Sequence, residues 1–260
     1  MKKMPEKIKP TRGTKEWADK NINIQYGCES GCLYCYGYAM AHRFSEKYPY
    51  RKGGSREEWR SPCLNYKMLN KNFRKSKGRI MFPTTHDITQ KNLPYVITVL
   101  SKLLEAKNEI LITSKPDPVC IKAITDSFKQ YKDQIQFRFT ITAMDDMILK
   151  KWEPYAPSFD SRMEALMGAY LQGYKTSISI EPYLENPIKL VKTLIPYVTE
   201  SIWIGVMNDK WVTKERYEEV RSFYTPEFVM QIYEELKKNP LIRWKDSTKA
   251  LLHLETETHD

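Results

Sequence analysis

At 260 residues with 41% hydrophobic side chains, the chain can bury one sizeable core, and a single domain spanning 1–260 is the expectation. No stretch approaches the roughly 20 apolar residues of a membrane span, and Met1-Lys-Lys-Met-Pro5 leads into charged sequence rather than a signal-peptide apolar region. No membrane partner is expected, and five cysteines without a secreted pattern point to a reducing, cytoplasmic setting. The net charge is +10, and most of it comes from one segment.

Asn21 to Tyr26 alternates polar and apolar residues and stops at Gly27, which predicts a first strand opening into a loop. That loop, Tyr26-Gly-Cys-Glu-Ser-Gly-Cys-Leu-Tyr-Cys35, holds Cys28, Cys32 and Cys35, and Tyr36 to Phe44 reads as a short helix. Between Arg43 and Arg79 stand twelve Lys/Arg against three Glu, interleaved with Tyr48, Tyr50, Trp59, Tyr66 and Phe73, so this basic insertion is a candidate nucleic-acid surface. A solvated segment that only aids solubility is the alternative. Strands are then expected at Arg79–Phe82, Glu109–Thr113, Ile135–Thr142, Thr176–Ile180 and Ser201–Val206. Between them, helices are expected at Leu93–Leu104, Val119–Tyr131, Ser161–Gly173 and Ile188–Tyr197. Six strands alternating with helices predict an α/β fold of parallel units over about 21–208. The remainder, about 209–260, carries the amphipathic stretch Pro226–Leu236 and Ile242-Arg-Trp-Lys-Asp246 and is read as a helical extension closing the open side.

The spacing C-x3-C-x2-C supplies three thiolates on one short loop, enough to hold three irons of a [4Fe–4S] cluster and leave the fourth open to a small molecule. A structural zinc site needs a fourth ligand, and no second Cys-x-x-Cys pair provides one. The alternative is a non-enzymatic zinc-binding nucleic-acid module completed by Cys63 or His42.

With Tyr34 just before the third cysteine, the motif resembles the signature of the radical S-adenosylmethionine (SAM) superfamily. The resemblance implies a partial (β/α)6 TIM-type barrel, a [4Fe–4S] cluster on Cys28, Cys32 and Cys35, and SAM bound at the open iron. It also implies a flavodoxin- or ferredoxin-type reductant. In such barrels functional groups sit at the carboxyl ends of the strands. The candidates there are Thr84, Thr85, His86 and Asp87 after the second strand, for the SAM amino group or the substrate, and Lys115 after the third, for the SAM carboxylate. Thr140 and Thr142 on the fourth strand can reach the ribose or methionyl group, Glu181 on the fifth a ribose hydroxyl, and Asn208 on the sixth is similarly placed. Tyr34 is added as a cofactor neighbour. Glu153 and Arg162 read as a salt bridge pinning the loop that Ser158 ends as a helix cap.

Thr113-Ser-Lys115, Glu153-Pro, Ala156-Pro-Ser158 and Arg162 together resemble the spore photoproduct lyase-like, or DNA repair photolyase-like, branch. That branch implies hydrogen abstraction from nucleic acid, DNA ahead of RNA, with a free nucleotide, small metabolite or peptide as the alternative substrate. The branch's cysteine after the second strand is missing from Thr84-Thr-His-Asp87, which argues against authentic spore photoproduct repair. Cys63, Cys120 and Tyr36 are the candidate hydrogen donors or relays.

Overall fold

The computed structural model describes residues 13–254, so the charged start at Met1–Pro5 and the last residues of the extension lie outside the description. Strands are β1 (Lys20–Asn21), β2 (Gln25–Tyr26), β3 (Cys63–Leu64), β4 (Ile80–Phe82), β5 (Ile110–Ser114), β6 (Ile135–Thr140), β7 (Lys175–Ile180), β8 (Ser201–Ile204) and β9 (Ile242–Trp244). Helices are α1 (Tyr36–Arg43), α2 (Arg56–Trp59), α3 (Tyr66–Leu69), α4 (Leu93–Glu105), α5 (Pro118–Ser127) and α6 (Asp146–Trp152). They continue with α7 (Phe159–Leu171), α8 (Pro187–Leu194), α9 (Lys214–Val220), α10 (Pro226–Leu236) and α11 (Asp246–Leu251). Among the described residues no helix is long and apolar enough to cross a membrane.

Seven strands form one parallel sheet in the order β1-β4-β5-β6-β7-β8-β9, an open barrel wall whose neighbours follow the chain. Every residue of β5 is buried, as expected of a parallel strand covered on both faces. Ile110, Ile112, Phe137, Phe139, Ile178, Ile180, Ile202 and Ile204 belong to the main core, with Val99 and Leu103 of α4, Ile121 and Ile124 of α5, and Leu190 and Leu194 of α8. Alternate residues face the other way: Met81 and Leu111 pack with Ala18 and Trp17. Beside them Arg138 donates to Ser177 Oγ (3.1 Å) and lies over the Trp17 ring at 4.6 Å. The segment before β1 therefore fills the inside of the wall.

Three expectations need correction. The strand expected over Asn21–Tyr26 splits, because the Asn23 side chain leaves the ladder: its Oδ1 accepts from the N–H groups of Thr84 (2.7 Å) and Thr85 (2.9 Å). Past that break Gln25–Tyr26 pairs antiparallel with β3, with Tyr26 opposite Cys63. The fourth strand stops at Thr140 rather than Thr142, since the Thr142 carbonyl accepts from Leu184 N–H and its hydroxyl turns to Glu153. The extension is not purely helical: β9 adds a seventh strand, Ile242 opposite Ile202 and Trp244 opposite Ile204. Lys245, just after β9, bonds Glu16 at 2.8 Å, tying this edge back to the segment before β1.

Candidate functional site

The cysteine loop starts at Gly27, whose φ of +91° and contact with Trp59 exclude a side chain: an added Cβ would lie 2.5 Å from the Trp59 carbonyl oxygen. The same carbonyl accepts from Cys28 N–H at 2.8 Å. Arg56 holds the middle of the loop, donating to the carbonyls of Cys32 (3.0 Å) and Leu33 (2.9 Å). From the far side, Trp152 O accepts from Leu33 N–H (2.9 Å) and Tyr155 N–H donates to Ser30 O (3.3 Å). At the end of the loop Cys35 caps α1, its sulfur accepting from Tyr38 N–H at 3.3 Å. The loop is thus clamped by the basic insertion and by the turn after α6.

Asp87 joins this loop to the end of β5. Its N–H donates to Cys28 Sγ (3.4 Å), and its carboxylate accepts from Ser30 Oγ (2.6 Å), Lys115 N–H (2.8 Å) and Lys115 Nζ (3.4 Å). Burial opposes its ionisation, yet Lys115 and Ser30 outweigh it and hold the carboxyl below its ordinary value. Burial likewise works against the charge on Lys115, and Asp87 and its other acidic neighbours keep the ammonium above its ordinary value. A second buried pair sits behind the loop. Arg162 and Glu153 are fully buried and ion-paired, and Glu153 also accepts from Tyr34 OH and from Thr142 Oγ1 (2.7 Å). Arg162 donates further to Pro157 O (2.9 Å) and Thr140 O (3.3 Å). Ser158 caps α7 through Ser161 N–H, as its position suggested.

The strand-end residues divide into those free to bind and those already engaged. Thr140 is half-buried at the end of β6, and Glu181, 3.7 Å from Lys245, keeps part of its carboxylate side chain exposed. His86 is a correction: both ring nitrogens are engaged within the fold, Nε2 with Ile24 N–H (3.3 Å) and Nδ1 with Asp87 O (3.1 Å). Tyr34 and Thr142 turn to Glu153, and Thr85 N–H is held by Asn23. Asn208 is exposed and caps a short turn through Lys210 N–H (3.1 Å), so it is a capping residue here. Tyr36 OH donates to Thr84 O. Cys120 is wholly buried in the core with no surface to offer a substrate, whereas Cys63 is half-buried, its sulfur 3.8 Å from Tyr50 O. Asn23, Ser30 and Arg56 are members of the site that sequence reading missed. An asparagine inside an alternating apolar run was the one available signal, since Asn is disfavoured in strands.

His86 makes a measurable prediction. Burial lowers its imidazole from 6.5 to about 4, so between those pH values the unfolded chain binds a proton that the folded chain refuses. Stability is therefore lost as pH falls through this window. His86→Asn is expected to shrink the difference in unfolding free energy between pH 7 and pH 5 by roughly 2 kcal/mol. Denaturant titrations of both proteins at the two pH values check it; identical pH dependence would contradict it.

The donor chemistry of the loop suits an iron–sulfur cluster: three free thiols on one turn, with backbone N–H groups aimed at two of the sulfurs. Among the described residues no three His, Cys, Asp or Glu side chains converge as ligands of a metal ion. The proposed fourth zinc ligands are engaged elsewhere, Cys63 in β3 beside Tyr50 and His42 on Gly53 O at 2.8 Å.

Compared with solved structures, the chain is similar to SuiB of Streptococcus suis, solved bound to S-adenosylmethionine, with a TM-score of 0.52 over 90% of this chain and 52% of that one, at 12% identity. The chain shares the fold of SuiB. The seven parallel strands form a partial barrel, one strand more than the six that the alternation of strands and helices predicted. No protein-family model matches the chain. In sequence it is similar to the uncharacterized protein MJ0683 of Methanocaldococcus jannaschii, 30% identical over 184 residues, 69% of this chain and 66% of that protein. It is also similar to the uncharacterized protein ORF301 of Acidianus two-tailed virus, 26% identical over 196 residues, 68% of this chain and 63% of that protein. The chain spans a little under two thirds of the length of these relatives and about half of SuiB.

Proposed function

We propose that this chain is a cytoplasmic radical SAM enzyme of the spore photoproduct lyase-like branch, acting on nucleic acid for repair or modification. The observation that carries the reading is the C-x3-C-x2-C loop itself, clamped beside the carboxyl ends of β4 and β5 in a barrel shared with a SAM-bound protein. Cys28, Cys32 and Cys35 would hold a [4Fe–4S] cluster. When bound and reduced by a flavodoxin- or ferredoxin-type donor, that cluster supplies the electron that cleaves SAM to methionine and a 5′-deoxyadenosyl radical.

The chain's own residues bind and orient. Lys115 uses one of its three donors on Asp87 and keeps others for the SAM carboxylate. Thr140 and Glu181 stand at neighbouring strand ends for the ribose, and Asp87 fixes Cys28 by its N–H. Glu153 and Arg162, which carry the branch resemblance, hold Tyr34 and the loop behind the cysteines. The exposed cations Arg43, Lys47, Lys67, Lys71, Arg74, Lys75 and Lys77 support an anionic polymer as substrate. Not every charge of the insertion faces a partner, since Arg56 holds the cysteine loop. Without a cysteine after β4, hydrogen return falls to Tyr36 or Cys63 ahead of the buried Cys120.

The test is 5′-deoxyadenosine formation by anaerobically reconstituted, reduced protein with SAM, alone and with single- or double-stranded DNA. DNA is expected to stimulate it, single strands more than duplex because an unpaired base need not leave a stack. Cleavage indifferent to DNA would contradict the nucleic-acid substrate; no cleavage with any reductant would contradict the radical chemistry.

A further inference from the structure

Three large apolar side chains stand out of α1 and its cap residue in one row: Tyr36, Met40 and Phe44, 38%, 39% and 39% exposed. Spacing by four places them on one face, about 6 Å apart along the axis. The other face of the helix is buried, with Ala41 packed beside Trp59 and Cys28. Single exposed apolar residues need no explanation, but a continuous row on a basic surface does.

The row begins at the site. Cys35 caps α1, and Tyr36 reaches Thr84 O at the end of β4, so the first ring lies on the rim of the barrel mouth. Past Phe44 the chain supplies two more rings, Tyr48 and Tyr50. Cations accompany them: Arg43 lies over Phe44 at 5.6 Å, Lys47 over Tyr48 at 5.4 Å, and Arg51 over Tyr48 at 4.3 Å and Tyr50 at 5.7 Å. Glu46 is the one acidic residue between Arg43 and Lys52.

This pattern differs from a protein-docking patch, where charge is depleted in the centre and confined to the rim. Here the cations lie on the rings themselves. Rings alternating with cations suit unpaired bases that stack while their phosphates are neutralised. A duplex would offer the rings nothing, because its bases stay inside their own stack. The geometry points to a single-strand track: unpaired nucleic acid lies along Tyr36, Met40 and Phe44, with phosphates on Arg43, Lys47 and Arg51, and is led to the mouth at Thr84. This deepens the proposed function and rests on its nucleic-acid reading.

The test is fluorescence anisotropy of the reconstituted protein with a labelled oligothymidylate and with a duplex of equal length, for wild type, Phe44→Leu, Phe44→Tyr and Arg43→Gln. Phe44→Leu keeps apolar bulk and removes the ring. It is expected to weaken single-strand binding about tenfold, with Phe44→Tyr retaining it and Arg43→Gln weakening it and flattening its salt dependence. Wild-type binding unaffected by Phe44→Leu, or equal losses on duplex, would overturn the track alone. No oligonucleotide binding by the wild type would overturn the nucleic-acid reading beneath it. If oligonucleotide binding survives but cluster reduction slows with a flavodoxin-type protein and not with dithionite, the face docks an acidic electron carrier and the track is wrong.

Discussion

Cys32→Ala is expected to bring 5′-deoxyadenosine formation to background and to lower iron content sharply, with the far-ultraviolet circular dichroism unchanged. The fold should survive because the loop is held mainly through its backbone: Arg56 on Cys32 O and Leu33 O, Trp59 O on Cys28 N–H, and Trp152 O on Leu33 N–H. None of these contacts uses the Cys32 sulfur. Two remaining thiolates would leave a second iron of the cluster without a protein ligand. Cys63→Ala serves as the comparison, since Cys63 lies in β3 and is expected to leave iron content intact. Product formation retained in the Cys32 variant would defeat the cluster assignment, and iron or zinc lost in the Cys63 variant would restore a four-ligand site.

Arg162→Ala is expected to destabilise the protein by about 3–5 kcal/mol, because it strands the Glu153 carboxylate in a fully buried position. Burial alone would push that carboxyl up, and Arg162 is the main group holding it below its ordinary value. The effect should reach the cysteine loop, since Glu153 also anchors Tyr34 OH. Glu153→Gln combined with Arg162→Ala should recover part of the loss. A neutral amide still accepts from Tyr34 and Thr142 without needing a counterion. Denaturant unfolding of the single and double variants measures both. A loss below about 1 kcal/mol for Arg162→Ala, the size of a surface pair, would contradict the structural role assigned here.

The parts of the site legible in sequence were those where spacing alone implies chemistry. Three cysteines at fixed intervals single out one loop whatever surrounds it, the rule that barrels work at strand ends picked out Asp87 and Lys115, and the proline-pinned loop pointed to a Glu153–Arg162 pair before any contact was known. Partner choice was less legible. Nothing in Thr84-Thr-His-Asp87 indicates that His86 bonds Ile24 while Asp87 serves the cysteine loop, because hydrogen bonds to partners 62 and 57 residues away leave no periodic trace. Strand β9 escaped for a different reason. Three residues, Ile-Arg-Trp, are too few for alternation to register, and the strand is specified by its pairing with β8 rather than by its own pattern. In the basic insertion composition counts residues but not directions, so Arg56, which turns inward to hold the loop, looked the same as the lysines that face solvent, and the buried Trp59 the same as the exposed Tyr66.

The most direct test of the central claim is electron paramagnetic resonance of the anaerobically reconstituted, reduced protein before and after SAM is added, with iron and sulfide measured on the same sample. Three cysteine ligands and one open iron predict about four irons and four sulfides per chain and a cluster signal that shifts when SAM binds. A chain that carries about one zinc, or a cluster whose signal ignores SAM, would contradict it.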